Sequence, residues 1–207
     1  MNGRSYGGKT QRERQLAREK ILLDTGLELF GRDGIAAVSV RKICRESKLT
    51  DRYFYASFDS PEALLVAVYL REAKAINDIV MAALLANLDK PITDMLRFGL
   101  DRFLARMQNP HIARVMTLEI DVCGERGDQC RDAYVNELSS LLVSVKRQIQ
   151  PAECCDDALD RWVGIGLIGT MRQLVLEWYR KGYQTPKQTI LDASLHIWLS
   201  ALGIRDT

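Results

Sequence analysis

Apolar residues return every three or four positions along almost the whole chain, and no run of β-branched residues bounded by turns alternates over the length of a strand. A chain with that period buries its apolar stripes by packing helix against helix, so the fold class is all-α. Turn and cap residues divide it. A first helix is predicted from about Gln11 to Arg32, with Leu22, Gly26, Leu29 and Phe30 on one face and Asp33-Gly34 as its stop. Ser39 is a cap for a short helix from Val40 to Ser47, whose Val40, Ile43 and Cys44 make the buried edge. Thr50 caps a second short helix carrying Asp51 to Tyr55, with Asp51 at its positive end. Two short helices across a tight turn make a helix-turn-helix. Ser60-Pro61-Glu62, a cap followed by a proline where its missing N–H costs nothing, opens a long helix to about Leu88. Pro91, Asn109-Pro110, Gly124 to Gly127, Pro151 and Thr185-Pro186 then mark helices near 92–108, 110–122, 128–149, 156–182 and 187–203, about nine in all.

The 207 residues are 47% hydrophobic and 27% charged, enough to bury a core without covalent staples. The net charge of +2 hides an asymmetry. Residues 1–58 hold 12 Lys and Arg against 7 Asp and Glu, a balance of +5, which leaves −3 for residues 59–207. A basic head on a mildly acidic body points to an anionic partner at the N-terminal end, with nucleic acid the leading candidate. Arg12, Arg14, Arg18 and Lys20 are expected to project beyond the core. The polar residues after Met1 do not read as a secretory signal, and Trp162 to Met171 is too short an apolar stretch to span a bilayer, so a cytoplasmic location and no membrane partner are expected. Cys44, Cys123, Cys130, Cys154 and Cys155 lack the spacing of zinc or redox motifs and are expected as free thiols, with no metal site. His111 and His196 have no ligand-spaced partner, and no phosphate loop or nucleophile motif occurs, so neither catalysis nor a cofactor is expected.

Leu22 to Phe30, Gly34, Ser39 to Cys44, Leu49 to Phe58 and Glu62 to Leu65 together follow an order and spacing that resembles the N-terminal domain of the TetR family, over about residues 12–68. Independently of that resemblance, Phe54 and Phe58, four apart, can anchor the inner face of a helix short enough to enter a major groove about 12 Å wide. Asp51, Arg52, Tyr53 and Ser57 are then free to meet base edges or phosphates, with Arg52 suited to guanine and Asp51 to a cytosine amine. The resemblance implies that the Tyr55 hydroxyl reaches a phosphate, and Ser39 and Arg41 can donate to the DNA backbone from the preceding helix. Two residues depart from the family pattern. Lys48 stands where a turn glycine is usual and must accept a conformation that favours glycine, while offering a charge to phosphate. Pro61 replaces a common lysine and removes both a charge and an amide donor. Thr50 completes the expected DNA-binding set.

The resemblance implies two domains: 1–60, a helix-turn-helix domain with a basic N-terminal arm, and 61–207, a domain for dimerisation and effector binding. Gly164, Leu167 and Met171 on one helix, with Leu195, Trp198 and Leu202 on the last, are expected at a four-helix interface between two copies. Phe98, Phe103, Met107, Met116, Glu119, Tyr134 and Trp162 are candidates for an effector pocket, as apolar walls with a few polar groups, although such residues are commonly core. The reading is a homodimeric repressor that grips palindromic double-stranded DNA and is released by an unidentified small molecule. Two rivals remain open: a helical interaction module without specific DNA binding, and a cysteine-based redox sensor on the same fold.

Overall fold

Thr10 and Glu13 close a reciprocal cap at the start of the first helix, α1 (Gln11–Asp33): the Thr10 hydroxyl accepts from the Glu13 N–H and the Glu13 carboxylate accepts from the Thr10 N–H. Gly34, at φ 80°, ends it as expected from Asp33-Gly34. The computed structural model describes residues 10–149 and 157–204. Pro151, Cys154, Cys155 and residues 1–9 of the basic arm lie outside the described residues. Among those described there are nine α-helices, two 3-10 turns and no strand.

The short helices follow the sequence closely. A 3-10 turn at Ile35–Ala37 leads into α2 (Val40–Ser47), where the Ser39 hydroxyl accepts from the Lys42 N–H at 3.3 Å. Lys48 closes α2 in the left-handed region, at φ 57° and ψ 29°, the conformation its place in the turn required. α3 (Asp51–Tyr55) starts from an extended Thr50, whose carbonyl accepts from Tyr53 and Phe54. The expected cap does not form through the side chain, because the Thr50 hydroxyl bonds no amide of α3. Ser60 does cap the next helix, α4 (Pro61–Leu85), through the Ala63 N–H.

α5 (Ile92–Met107), α6 (Pro110–Thr117), α7 (Glu125–Ile149), α8 (Asp157–Arg180) and α9 (Lys187–Ala201) complete the body. Here the structure corrects the sequence twice. The helix expected over 110–122 stops at Thr117 and turns into a 3-10 segment, Glu119–Val122, because Leu118 leaves helical geometry and sends Glu119 inward toward the head. Gly127 is expected before α7 but lies inside it, where the lack of a Cβ lets the first turn pass close to the 119–122 segment: a Cβ there would stand 2.2 Å from the Ile120 carbonyl oxygen. One continuous apolar cluster joins Leu22, Phe30, Phe54 and Phe58 of the head to Leu104, Val115, Val175 and Leu195 of the body. α1 meets α6 so closely that a Cβ on Gly31 would stand 2.2 Å from His111 Cβ.

Candidate functional site

α3 is held from below. Phe54 is fully buried and Phe58 nearly so, with ring centroids 6.1 Å apart, while Asp51, Arg52, Tyr53 and Tyr55 on the opposite face are exposed. Arg41, Lys48 and Thr50 are also exposed, and so is Ser39, although its hydroxyl is engaged in the α2 cap. Ser57, expected on the outer face, is half-buried because it lies in the turn that brings Phe58 under the helix. Burial first, then a bond to the Asp51 carboxylate, pushes the Cys44 thiol up to about 11.

Sequence reasoning missed the contact that supports this face from α1. The Arg18 guanidinium lies 4.5 Å from the centroid of the Tyr53 ring, so Arg18 turns toward α3 rather than projecting freely. Their separation of 35 positions carries no local signal. Arg12, Arg14 and Lys20 are exposed as expected, with Lys20 paired to Asp24 at 2.7 Å. Burial tends to raise the Asp24 carboxyl, but bonds from Lys20 and Arg71 outweigh it and hold the group below its ordinary value. At the other end of α1, a hydrogen bond from Arg32 and another from Lys42 of α2 hold the Asp33 carboxyl well below the usual carboxylate range.

The body contains a cavity of about 220 Å³ among α4, α5, α6, α7, α8 and α9. Of the expected pocket residues, Phe103, Met107, Met116 and Tyr134 line it. Three do not. Phe98 and Trp162 point outward, 41% and 65% exposed, because each lies on the solvent side of its helix. Glu119 is buried elsewhere: its carboxylate accepts from the Ile35 N–H at 2.7 Å and from Arg114 Nε at 2.7 Å, while Arg114 Nη1 donates to the Arg32 carbonyl. It ties body to head rather than lining a pocket. Several polar groups of the cavity lie together: Tyr134 donates to Asn77 at 2.9 Å, Arg172 donates to the Thr117 carbonyl, and Arg131 and Arg172 both reach Asp121, while the Trp198 Nε1–H is a further buried donor with no partner. Burial pushes the Tyr134 hydroxyl up to about 12, so it remains a donor at neutral pH.

The residues expected between two copies also divide. Leu167, Met171 and Leu195 are buried within the chain, Met171 and Trp198 line the cavity, and Gly164 packs against Ser139. An apolar all-round helix does not say which flank faces inward. The outer flank carries Trp162, Gly166, Gly169 and Gln173 on α8, and Ala193 and half-buried Ile197 on α9. A Cβ at Gly166 or Gly169 would meet nothing within 4 Å. Leu202 is half-buried at the end of α9.

A sequence model of the bacterial regulatory proteins of the tetR family matches residues 22–68, the segment that runs from the core of α1 through α3 into α4. The chain carries a TetR-family N-terminal domain. Over 51 residues, 25% of the chain, it is 39% identical to the HTH-type transcriptional regulator YuxN of Bacillus subtilis, a match that spans 18% of that protein. The fold of the whole chain is shared with solved regulators of low sequence identity. With the fatty acid degradation regulator FadR from Bacillus halodurans the TM-score is 0.71 at 16% identity, covering 95% of this chain and 97% of that one. With a TetR-family regulator from Syntrophomonas wolfei it is 0.75 at 16% identity, covering 92% and 97%. With FadR from Bacillus subtilis, solved in complex with stearoyl-CoA, it is 0.69 at 16% identity, covering 88% and 98%. Among the described residues no group of three or more His, Cys, Asp or Glu is placed to hold a metal, and no helix is long and apolar enough to cross a membrane.

Proposed function

We propose that this chain is a TetR-like one-component transcriptional repressor: a homodimer that grips palindromic operator DNA through α2 and α3 and releases it when a small molecule occupies the body cavity. The observation that carries the reading is the presentation of α3. Phe54 and Phe58 are locked beneath it while Arg52, Tyr53 and Tyr55 stand free above, inside the segment matched to the family. A helix so mounted can enter a major groove, and Arg41 and Lys48 beside it can meet phosphates. Ser39, Thr50, Asp51 and, at its margin, Ser57 complete the proposed contact surface, in a domain covering 1–60.

Two recognition helices are needed, because one of this length makes few contacts; a two-fold pair about 34–36 Å apart reads successive grooves. Pairing is proposed through the open flank of α8 and α9, where Gly166 and Gly169 permit close approach beside Trp162, Ala193 and Ile197. The cavity between α4 and α9 supports effector binding in the remaining domain, 61–207, and a regulator of the same fold solved in complex with stearoyl-CoA is consistent with that reading. We place the protein in the cytoplasm, on the nucleoid, without enzymatic activity.

The test is a salt titration of binding to a palindrome from the protein's own promoter. A steep loss of affinity with salt, together with preference over scrambled DNA, is expected. A shallow slope without sequence preference would leave only an interaction module.

A further inference from the structure

The cavity is polarised along its length. Tyr134 and Arg131 of α7 and Arg172 of α8 stand at one end, while Leu138, Leu141 and Leu142 of α7 continue to the other. At 1.5 Å per residue the stretch of α7 from Arg131 to Leu142 is about 16 Å long, so the space is a slot with a polar mouth and an apolar shaft. The two guanidinium groups at the mouth share one carboxylate. Arg131 Nη1 donates to Asp121 at 2.9 Å, and Arg172 Nη2 donates both to Asp121 and to the Thr117 carbonyl. Arg131 also meets Asp128 and Asp132, but these carboxylates are more than half exposed and screened by solvent. The Arg172 Nε–H is buried and has no partner.

Resting on the reading of the cavity as the effector site, we propose that its ligand is an aliphatic chain ending in an anionic group, which competes with Asp121 for the guanidinium groups of Arg131 and Arg172. The chain lies along the leucines of α7. The head group satisfies the idle Arg172 donor and takes over charge-assisted bonds now made to Asp121. Asp121 belongs to the 119–122 turn whose Glu119 accepts from the Ile35 N–H, so its release loosens the segment that fastens body to head. Ligand class and signal thus meet in one turn.

Full-length protein is titrated calorimetrically with dodecanoate, dodecanol and dodecyltrimethylammonium, each below its micelle-forming concentration. Dodecanoate is expected to bind about tenfold more tightly than dodecanol, and the cationic probe more weakly still. Asp121→Asn is expected to tighten dodecanoate binding several-fold and leave dodecanol unchanged, with thermal unfolding confirming that the variant is folded. Leu138→Trp, which fills the shaft, is expected to abolish both. Dodecanol binding as tightly as dodecanoate, or Asp121→Asn weakening dodecanoate, overturns the anionic head group. Dodecanoate binding untouched by Leu138→Trp overturns the placement. If no aliphatic probe binds while a polarity-sensitive naphthalene dye binds and is lost in Leu138→Trp, the proposal fails and the effector cavity stands. If the dye also fails to bind, both fall.

Discussion

Replacing Glu119 with alanine removes the carboxylate that holds two separate parts of the chain. Its Oε2 accepts from the Ile35 N–H, 84 residues away, and its Oε1 accepts from Arg114 Nε, both at 2.7 Å. The Glu119 side chain is 8% exposed, Arg114 25%. Leaving the Ile35 N–H buried and unpaired costs about 1–3 kcal/mol. Breaking a fully buried ion pair costs about 3–5 kcal/mol, and the partial exposure of Arg114, together with its surviving bond to the Arg32 carbonyl, puts this one at the lower end. Glu119→Ala is therefore expected to destabilise by about 4 kcal/mol, and Arg114→Ala, which strands the carboxylate but leaves the Ile35 bond, by about 3 kcal/mol. The double variant should lose about 5 kcal/mol, leaving a coupling near 2 kcal/mol. Urea unfolding followed by circular dichroism measures all four corners of the cycle. Single-variant losses that add to within about 0.5 kcal/mol would refute the claim that the two side chains act as one fastening.

Lys48→Gly relieves a side chain at φ 57°, so unfolding should be harder by about 0.5–1 kcal/mol, while loss of a phosphate contact should lower the salt slope of operator binding by about one. Tyr55→Phe is expected to weaken all DNA sequences alike, whereas Arg52→Ala should change base preference; binding curves on a set of singly altered operators separate the two, and unchanged affinity in both variants removes these residues from the interface. Asp33 has a folded-state pKa depressed by Arg32 and Lys42, so its contribution is present above the unfolded value of about 3.9 and lost as pH falls below it. Asp33→Asn should accordingly flatten acid unfolding below that pH and lower stability at neutral pH; an unaltered acid profile would show that the pairs contribute nothing. Burial raises the thiols of Cys44, Cys123 and Cys130 and disfavours the reactive thiolate, so serine at these three cysteines should leave operator release unchanged in a gel-shift assay.

The recognition of α2, α3 and the start of α4 from sequence rested on caps and on two phenylalanines, features that act within a few residues. Ser39, Ser60-Pro61 and the Phe54 and Phe58 anchors stand where their chemistry puts them. Thr50 shows the limit of such reasoning, since a residue suited to capping is used here only for its backbone carbonyl. The body was less legible. Phe98, Glu119 and Trp162 are candidates on character alone, and each lies off the cavity: Phe98 and Trp162 because helix rotation, which a mixed apolar pattern leaves undetermined, sets their direction, and Glu119 because the chain leaves α6 at Leu118.

By itself the sequence determined the helical class, the punctuation of the head and the outward positions Asp51, Arg52 and Tyr53, though not Ser57, because the helical repeat and end caps act between residues a few positions apart. Only the tertiary structure decided that Glu119 fastens head to body, that Arg18 lies over Tyr53, and that Met171 and Trp198 face a cavity. Those outcomes depend on how whole helices turn and pack against one another, and the side chains concerned meet across 35 to 84 positions of chain.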